Sequence, residues 1–180
     1  KKDGVIMGTP KPITGEEGLA LEFDTPSKKV AVGSDQLAKA GFDPVPKYTR
    51  HPRGPKGYYC LITGRCPVHT FSRTQTNPVL AQAMSENEVW VNADSAVRLG
   101  VKTGDRVRLR NQDGVLSNPI KVKATQAIRP DCVYMVHGFG HTAKGLRRAL
   151  GKGASDASLV TRYETDPLMG GTGMNVNFVT

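Results

Sequence analysis

The chain has few aromatic residues, no long apolar run and no closely spaced pair of cysteines. Aromatic side chains make up 6% of its 180 residues, which is too few for the stacking platforms that bind single-stranded nucleic acid. No stretch reaches the roughly 18 apolar residues of a membrane-spanning helix, and the opening residues, KKDG, do not begin a signal peptide. The three cysteines lack the CxxC spacing of zinc sites, so a structural metal is not expected.

Positive charge dominates, since 25 Lys and Arg face 16 Asp and Glu and the formal net charge is +9. Such an excess suits an anionic partner, and it also serves solubility alone. The tightest basic cluster, Lys144–Arg148, predicts a solvated helix face, with a phosphate contact as the weaker alternative. Arginines alternate over Arg106–Arg110 and therefore share one face of a predicted strand, expected to lie in solvent. Without aromatic platforms a nucleic-acid partner is not favoured.

Residues 1–57 are predicted to be a strap or linker from a preceding domain. They hold seven of the 12 prolines, a density that argues against a long regular domain. Only short elements are predicted there, with Ser34 as a helix cap. They are strands at Leu19–Phe23 and Lys29–Val32 and a helix at Asp35–Ala40.

From residue 58 to residue 180, short apolar segments alternate with turns. Their spacing predicts a mainly β domain with short helices, in which the strands form a β-barrel with helical insertions. One helix is predicted to be capped by Asn92 or Asp94 and to end at Gly100. Strands are predicted at Tyr58–Ile62, Glu88–Val91, Arg106–Arg110, Ile120–Ala124 and Cys132–Val136, and helices at Val79–Met84, Ser95–Leu99 and Thr142–Leu150.

Three separated stretches combine glycine with hydrogen-bonding side chains: Leu61–Pro78, Met135–His141 and Met169–Thr180. Glycine lets backbone N–H groups approach a ligand closely, while Arg, His, Thr and Asn supply directed donors and acceptors. A large, polar, anionic cofactor needs loops of this kind. The second stretch has two histidines four residues apart, which would suit zinc on a helix, but its interleaved glycines argue against that helix.

The segment Asn92–Val107, NADSAVRLGVKTGDRV, resembles the helix–turn–strand unit of double-psi β-barrels. Together with the ITGR loop and its following histidine, the VHGFGH segment and the terminal GGTGMNVN, it makes the chain similar to the C-terminal cofactor-binding domain of the molybdopterin oxidoreductases, the dimethyl sulfoxide reductase family. FDTPS and AGFDP resemble the segment that precedes this domain, so the similarity runs from about Leu21 to the end. VHTFSRTQTNP and HGFGH look most like thiosulfate, polysulfide and related sulfur-oxyanion reductases, with arsenate reductases close by.

The resemblance implies a double-psi β-barrel, aspartate-decarboxylase-like, at residues 58–180. It also implies a cofactor, bis(molybdopterin guanine dinucleotide) with molybdenum, which this domain would cover in part. The 4Fe-4S cysteines and the side chain that ligates the metal lie in earlier domains of the family. The chain is therefore expected to be part of a larger catalytic subunit and inactive alone. Its implied partners are the rest of that subunit, an iron–sulfur subunit and a membrane-anchor subunit, in the periplasm.

The family's cofactor-contacting positions carry over to residues of all three stretches. Arg65 offers planar donors to pterin or phosphate oxygens, although a strand-end turn with an exposed arginine is the alternative. Arg73 is also a candidate for the substrate funnel, where a cation would steer sulfur oxyanions. His69 and Asn175 have plainer interpretations as a surface histidine and a turn residue. The predicted cofactor-binding residues are Thr63, Gly64, Arg65, His69, Ser72, Arg73, Thr74, Gln75, His137, Gly138 and Asn175.

The reaction implied for the complete enzyme is the two-electron reduction of a sulfur oxyanion, thiosulfate or polysulfide, at molybdenum. The protein would bind, orient and electrostatically tune the cofactor. Two other functions stay open at this point. The barrel also occurs in stand-alone binding or adaptor modules, which would have no redox role. A nucleic-acid-binding barrel would need a contiguous positive stripe and a steep salt dependence of binding.

Overall fold

The structure is a computed structural model, and it describes residues 23–45, 47–48, 50, 52–174 and 176–180. The chain divides into two compact units, Lys1–Thr49 and Arg50–Thr180. All the buried hydrophobic side chains of the described residues belong to the second unit. The strand predicted at Leu19–Phe23 lies outside the described residues except for Phe23, and the division predicted after residue 57 stays a prediction.

The first unit contains one short helix in its described part, α1 (Asp35–Lys39). Ser34 caps it, because its Oγ accepts a backbone N–H of the first turn at 3.3 Å, so this predicted helix is confirmed. The strand predicted at Lys29–Val32 is wrong, since these residues form bends and irregular, exposed backbone. A local side chain satisfies the backbone instead: Thr25 Oγ1 donates to the Lys29 carbonyl at 2.7 Å.

The second unit is built on a mixed β-sheet with short helices. Its elements are β1 (Tyr59–Gly64), α2 (Pro78–Ala83), β2 (Glu88–Asn92), α3 (Ala93–Leu99), β3 (Arg106–Val107), β4 (Ile120–Thr125), β5 (Cys132–Val136), a 3-10 helix (Ala157–Leu159), β6 (Glu164–Thr165), β7 (Thr172–Gly173) and β8 (Phe178–Val179). The six-stranded sheet has the order β3-β4-β2-β5-β1-β8, and β6 pairs with β7 separately. β1 is parallel to β5 and β2 is parallel to β4, while the other neighbours are antiparallel.

The two edges of the six-stranded sheet are joined by the segment that follows β3. Arg110 and Thr180 exchange two backbone hydrogen bonds of 2.9 Å beside β8, at the opposite edge. The Gln112 N–H also donates to the Phe178 carbonyl at 3.1 Å. The sheet is therefore curled on itself, and the mainly β fold with few short helices agrees with the predicted class.

The core lies inside this curl and is formed by alternate strand positions. In β4, Ile120 and Val122 are fully buried, whereas Lys121 between them is partly exposed. Val89 and Met135, which pair across β2 and β5, are also fully buried. Since burying one such side chain contributes roughly 1.5–3 kcal/mol, the period-two pattern decides which face of each strand turns inwards.

Most elements predicted after residue 58 are confirmed, with ends shifted by a few residues. Asn92 is the cap of α3, because its Oδ1 accepts two N–H groups of the first turn. The strand predicted at Arg106–Arg110 is regular only at its first two residues. The helix predicted at Thr142–Leu150 is wrong, since the segment forms turns. The Gly151 N–H donates to the His141 carbonyl at 2.9 Å, whereas a helix would separate these residues by roughly 15 Å.

Candidate functional site

A cavity of about 670 Å³ lies where β1 and β5 end, a volume typical of small-molecule sites. These strands are parallel, with Gly64 opposite Val136, so the loops that leave them start side by side. The His137 N–H donates to the Gly64 carbonyl at 2.9 Å and joins the two starts. We refer to residues 65–77 as loop 1 and to residues 137–141 as loop 2. The wall consists of Thr63, Phe71, Ser72, His137, Gly138, Phe139, Gly140, His141, Thr142, Ala143, Ser155, Asp156, Ala157, Val160 and Met174.

Loop 1 is organised around His69, which is only 6% exposed. Nε2 of His69 lies 2.8 Å from the Met84 carbonyl, which can only accept, so Nε2 carries a proton. Nδ1 lies 3.1 Å from Thr74 Oγ1, which already accepts the Thr70 N–H at 2.9 Å. Thr74 therefore donates its hydroxyl proton to Nδ1, and both ring nitrogens are engaged. In the described structure His69 and Thr74 hold the loop together.

Phe71 lies in loop 1 with a left-handed backbone, at a φ of 49°. A bulky side chain rarely adopts this conformation, which costs on the order of 1–2 kcal/mol and often occurs at functional sites. Gln75, which is buried, donates its Nε2 amide to the Phe71 carbonyl. The Arg65 guanidinium lies 4.7 Å from the centre of the Phe71 ring, and the His137 ring centre lies 6.0 Å from it. Phe71 thus gives the cavity an aromatic wall that contacts both loops.

Loop 2 lies directly against loop 1 and against a third segment, residues 153–157, and glycine makes both contacts possible. At Gly138, with a φ of 89°, a Cβ would lie 2.6 Å from the Ser72 backbone nitrogen and closer still to the Phe71 carbonyl. At Gly140, with a φ of 76°, a Cβ would lie 2.8 Å from the Ala154 carbonyl carbon. Real Cβ contacts essentially never fall below 3.0 Å, so any larger residue would displace a neighbouring backbone.

Asn87 fixes the third segment relative to β5. It is fully buried, and its Nδ2 donates to the carbonyls of Val136 and Ala154 at 2.8 and 2.9 Å. Its Oδ1 accepts the Ala154 N–H at 2.9 Å. One side-chain amide therefore joins the residue before His137 to a residue two positions before Asp156.

His137 and Asp156 meet in the cavity wall. Nδ1 of His137 lies 2.5 Å from Oδ2 of Asp156, and the two side chains are 30% and 7% exposed. No other polar atom of the described residues hydrogen-bonds the His137 ring. Nε2 of His141 is buried and has no hydrogen-bond partner among the described residues. Among the described residues, Nε2 of both histidines therefore lacks a hydrogen-bond partner, and that of His141 is enclosed.

A second cavity, of about 460 Å³, lies beside the first and includes Arg65 in its wall. The Tyr134 hydroxyl donates to the Arg65 carbonyl at 3.1 Å, and burial raises the pKa of that phenol. The Trp90 ring contacts Tyr134 edge-on at 5.2 Å and carries the Lys123 ammonium 4.3 Å above it. Burial raises the pKa of Glu86, but hydrogen bonds from Lys121 and Arg106 outweigh that effect and hold the pKa below its usual value.

The structure brings together predicted cofactor residues from two separate stretches. Arg65 contacts the Phe71 ring from loop 1, Arg73 is exposed, and Gly64 ends β1. Asn175 lies outside the described residues. Those that line the larger cavity are Thr63, Ser72, His137 and Gly138. Direct contact between any of these residues and a cofactor stays a prediction.

Sequence reasoning missed Phe71, Asn87 and Asp156. The strained backbone of Phe71 has no local signature, because a phenylalanine in a loop favours no left-handed conformation. Asp156 lies far along the chain from His137, so their pairing depends on tertiary structure. Asn87 had a weak signal: it is a polar residue immediately before an apolar strand, where a buried amide needs partners.

The described residues contain no group of three or more His, Cys, Asp or Glu that is arranged to hold a metal ion. Within the same part of the chain, every helix is too short or too polar to cross a membrane. Cys132 is buried, and burial raises the pKa of its thiol to about 11. Cys60 and Cys66 are partly exposed.

A curled mixed sheet with glycine-containing loops around a cavity of small-molecule size has the form of a small-molecule-binding domain. The family model described as the molydopterin dinucleotide binding domain matches residues 59–178. The chain therefore belongs to this family, and the resemblance found in its sequence is confirmed.

Several relatives of this chain are reductases or reductase subunits by name. The thiosulfate reductase molybdopterin-containing subunit PhsA of Salmonella typhimurium is 32% identical over 85% of this chain and 20% of its own length. The dimethyl sulfoxide reductase DmsA of Escherichia coli is 27% identical over 91% of this chain and 21% of its own length. The chain thus spans about a fifth of each relative. The solved structure of acetylene hydratase from Pelobacter acetylenicus shares the fold, with a TM-score of 0.65 at 19% identity over 89% of this chain and 24% of that one.

Proposed function

We propose that this domain binds bis(molybdopterin guanine dinucleotide) in the cavity between loops 1 and 2, within a molybdenum-containing catalytic subunit. The observation that carries the proposal is the convergence of Thr63 and Ser72 with His137 and Gly138 on one cavity. The family match over residues 59–178 supports the class of cofactor. A stand-alone adaptor is not favoured, because the unpaired ring nitrogens lie in a cavity wall and not at an exposed strand edge.

The side chains present fit a polar, nitrogen-rich aromatic ligand such as a pterin. Thr63 and Ser72 offer hydroxyls, and His137 offers a ring nitrogen. Phe71 offers an aromatic surface beside them. These groups would hold and orient the cofactor, which when bound supplies a metal centre able to take up and release electron pairs.

The other predicted residues take two roles in this proposal. His69, Thr74 and Gln75 would support loop 1 from behind, since their side chains bond mainly within the loop. Arg65 and Arg73 are the proposed cations for phosphate groups or for an incoming oxyanion. Gly64, at the end of β1, and Asn175, in the stretch Met169–Thr180, would complete the contacts with the cofactor.

We also propose that the curled sheet is a double-psi β-barrel. The parallel pairs β1–β5 and β2–β4 lie side by side through the antiparallel pairing of β2 with β5. α3 follows β2 directly and leads through a turn to β3, as the helix–turn–strand unit requires. The hydrogen bonds between residues 110–112 and 178–180 support closure.

For the complete subunit the proposed reaction is reduction of thiosulfate or polysulfide. Thiosulfate would be cleaved at its S–S bond into sulfite and sulfide, with uptake of two electrons and two protons. The identity of 32% with a thiosulfate reductase subunit, against 27% with a dimethyl sulfoxide reductase, supports this substrate class. The proposal extends to a 4Fe-4S cluster in preceding domains, to iron–sulfur and membrane-anchor partner subunits, and to a periplasmic location.

The test uses the full-length gene product, purified from its host without oxygen. We expect molybdenum with two guanine nucleotides per metal atom, and thiosulfate-dependent oxidation of a reduced viologen dye that exceeds oxidation with dimethyl sulfoxide. Absence of molybdenum and guanine nucleotide would reject the cofactor. A loaded enzyme that reduces only dimethyl sulfoxide would reject the substrate class alone.

A pair of matched variants locates the site in that enzyme. Thr63→Val removes a hydroxyl from the cavity wall, and Thr165→Val removes one from the exposed β6 outside it. We expect the first variant to retain less cofactor after gel filtration and the second to behave as wild type. Equal retention by both variants would remove Thr63 from the site.

A further inference from the structure

The His137–Asp156 pair determines which hydrogen-bonding character the cavity wall presents. Oδ2 of Asp156 lies 2.5 Å from Nδ1 of His137. A carboxylate only accepts hydrogen bonds, so Nδ1 must carry a proton. In a neutral imidazole the other nitrogen, Nε2, is then an acceptor. The Asp156 side chain is only 7% exposed, so its carboxylate depends on the His137 ring and not on bulk water for a hydrogen bond.

The surroundings of the pair fix its geometry from three sides. At Gly138, loop 2 contacts the Phe71–Ser72 peptide, and at Gly140 it contacts the backbone of Ala154. The Asn87 amide joins Ala154 to the residue before His137. The backbone that carries His137 is therefore held in place relative to the segment that carries Asp156.

The cavity contains a second histidine, but the two rings do not have the same partners. The titratable side chains in the wall are His137, His141 and Asp156. Asp156 bonds His137, whereas His141 Nε2 is buried without a partner among the described residues. Only His137 thus has a tautomer fixed by a carboxylate in the described part of the chain.

We propose that Asp156 is a positioning residue that fixes His137 as the Nδ1–H tautomer, so that Nε2 accepts a hydrogen bond from an N–H or amino group of a pterin. This inference rests on the proposed function for the identity of the ligand, but the tautomer itself is a property of the chain alone. In this tautomer the His137 ring accepts at Nε2, whereas a doubly protonated ring would donate to phosphate. A pterin ring presents N–H groups and an exocyclic amino group that suit such an acceptor.

The test is nitrogen NMR of the histidine rings in the full 180-residue chain, at a pH of about 8, where ordinary imidazoles are neutral. Long-range proton–nitrogen correlations show which ring nitrogen carries the proton. We expect Nδ1–H for His137, the same pattern in Asp156→Asn, whose amide oxygen still accepts, and a shift of the proton to Nε2 in Asp156→Ala. A wild-type His137 protonated at Nε2 or at both nitrogens, or an Asp156→Ala spectrum unchanged from wild type, would overturn the proposal.

His69 provides an internal control in every sample. The Met84 carbonyl fixes its proton on Nε2, the opposite tautomer, in the neighbouring loop. Retention of this pattern shows that loop 1 is folded in the variants. If Asp156→Ala loses the His69 pattern, the wild type and Asp156→Asn test the proposal alone, because His137 must show Nδ1–H in both.

A second measurement separates this inference from the cofactor assignment. Tetrahydropterin added to the chain should shift the Nε2 signal of His137 and leave the signals of the His69 ring unchanged. Because Asp156→Ala loses one buried hydrogen bond to the ligand, this variant should bind tetrahydropterin about tenfold more weakly. Binding that leaves His137 Nε2 unmoved would refute the acceptor role. No pterin binding at all, with the expected tautomer present, would support the role of Asp156 and count against the proposed cofactor.

Discussion

Gly138→Ala is the most direct perturbation of the contact between the two loops. The backbone there has a φ of 89°, and an added Cβ would lie 2.6 Å from the Ser72 nitrogen and closer to the Phe71 carbonyl. Two costs therefore arise together, a left-handed conformation for alanine and a collision with another loop's backbone. Gly114→Ala isolates the first of these costs, because Gly114 has a φ of 86° and nothing lies within 4 Å of a Cβ built on it.

The magnitudes follow from these geometries. A left-handed alanine costs roughly 1–2 kcal/mol, while loss of chain entropy in the unfolded state returns about 0.4–1 kcal/mol. Gly114→Ala should therefore lower the free energy of unfolding by no more than about 1.5 kcal/mol. Gly138→Ala adds overpacking against a backbone held by other contacts, which costs typically 1–3 kcal/mol.

Urea unfolding of both variants, followed by circular dichroism, measures this difference. We expect a lower midpoint for Gly138→Ala at an unchanged slope, with amide shift changes in the NMR spectrum at Phe71 and Ser72. If the two variants unfold within about 0.5 kcal/mol of each other, the scale of error in comparing separate sites, then the loops do not meet at Gly138 as described.

Two further outcomes follow from other contacts. Asn87→Leu leaves three buried backbone groups without partners. Since each such group costs about 1–3 kcal/mol, urea unfolding should show that the free energy of unfolding falls by roughly 3 kcal/mol or more. The control is the helix-cap variant Asn77→Ala, for which we expect a loss of about 1 kcal/mol. Glu86→Gln should lose up to about 1 kcal/mol at pH 7, and the difference from wild type should disappear as the pH falls through the folded pKa. The sign follows because Lys121 and Arg106 lower the pKa of folded Glu86 despite its burial, so the carboxylate stabilises the fold above its unfolded pKa. A difference from wild type that grows in acid would contradict this. Glu164→Gln on exposed β6 is the control.

Local chemistry made much of the fold predictable. The cap at Asn92, the apolar alternation of Ile120 and Val122, and the cap at Ser34 each depend on neighbours within a few residues. Such signals specify where an element begins and which face turns inwards. They do not specify how far it continues, which explains why the strand predicted at Arg106–Arg110 is regular over only two residues.

Predictions failed where distant contacts outweigh local preference. Thr142–Leu150 has the composition of a helix, but a hydrogen bond between Gly151 and His141 closes it into turns beside the cavity. The candidate site shows the same limit. Glycine and histidine mark loops 1 and 2, which line one cavity, yet nothing local indicates that Asp156 bonds His137.

The strained loop tip connects these observations, because contacts from inside and outside loop 1 both hold it. A left-handed Phe71 costs on the order of 1–2 kcal/mol, and no residue adjacent to it in the chain offsets that. Its carbonyl accepts the buried Gln75 amide and lies against Gly138, which follows β5 much later in the chain. The contact with Gly138 is therefore available to loop 1 only where β5 lies beside β1. The aromatic wall and the His137 ring beside it accordingly depend on the same strand pairing.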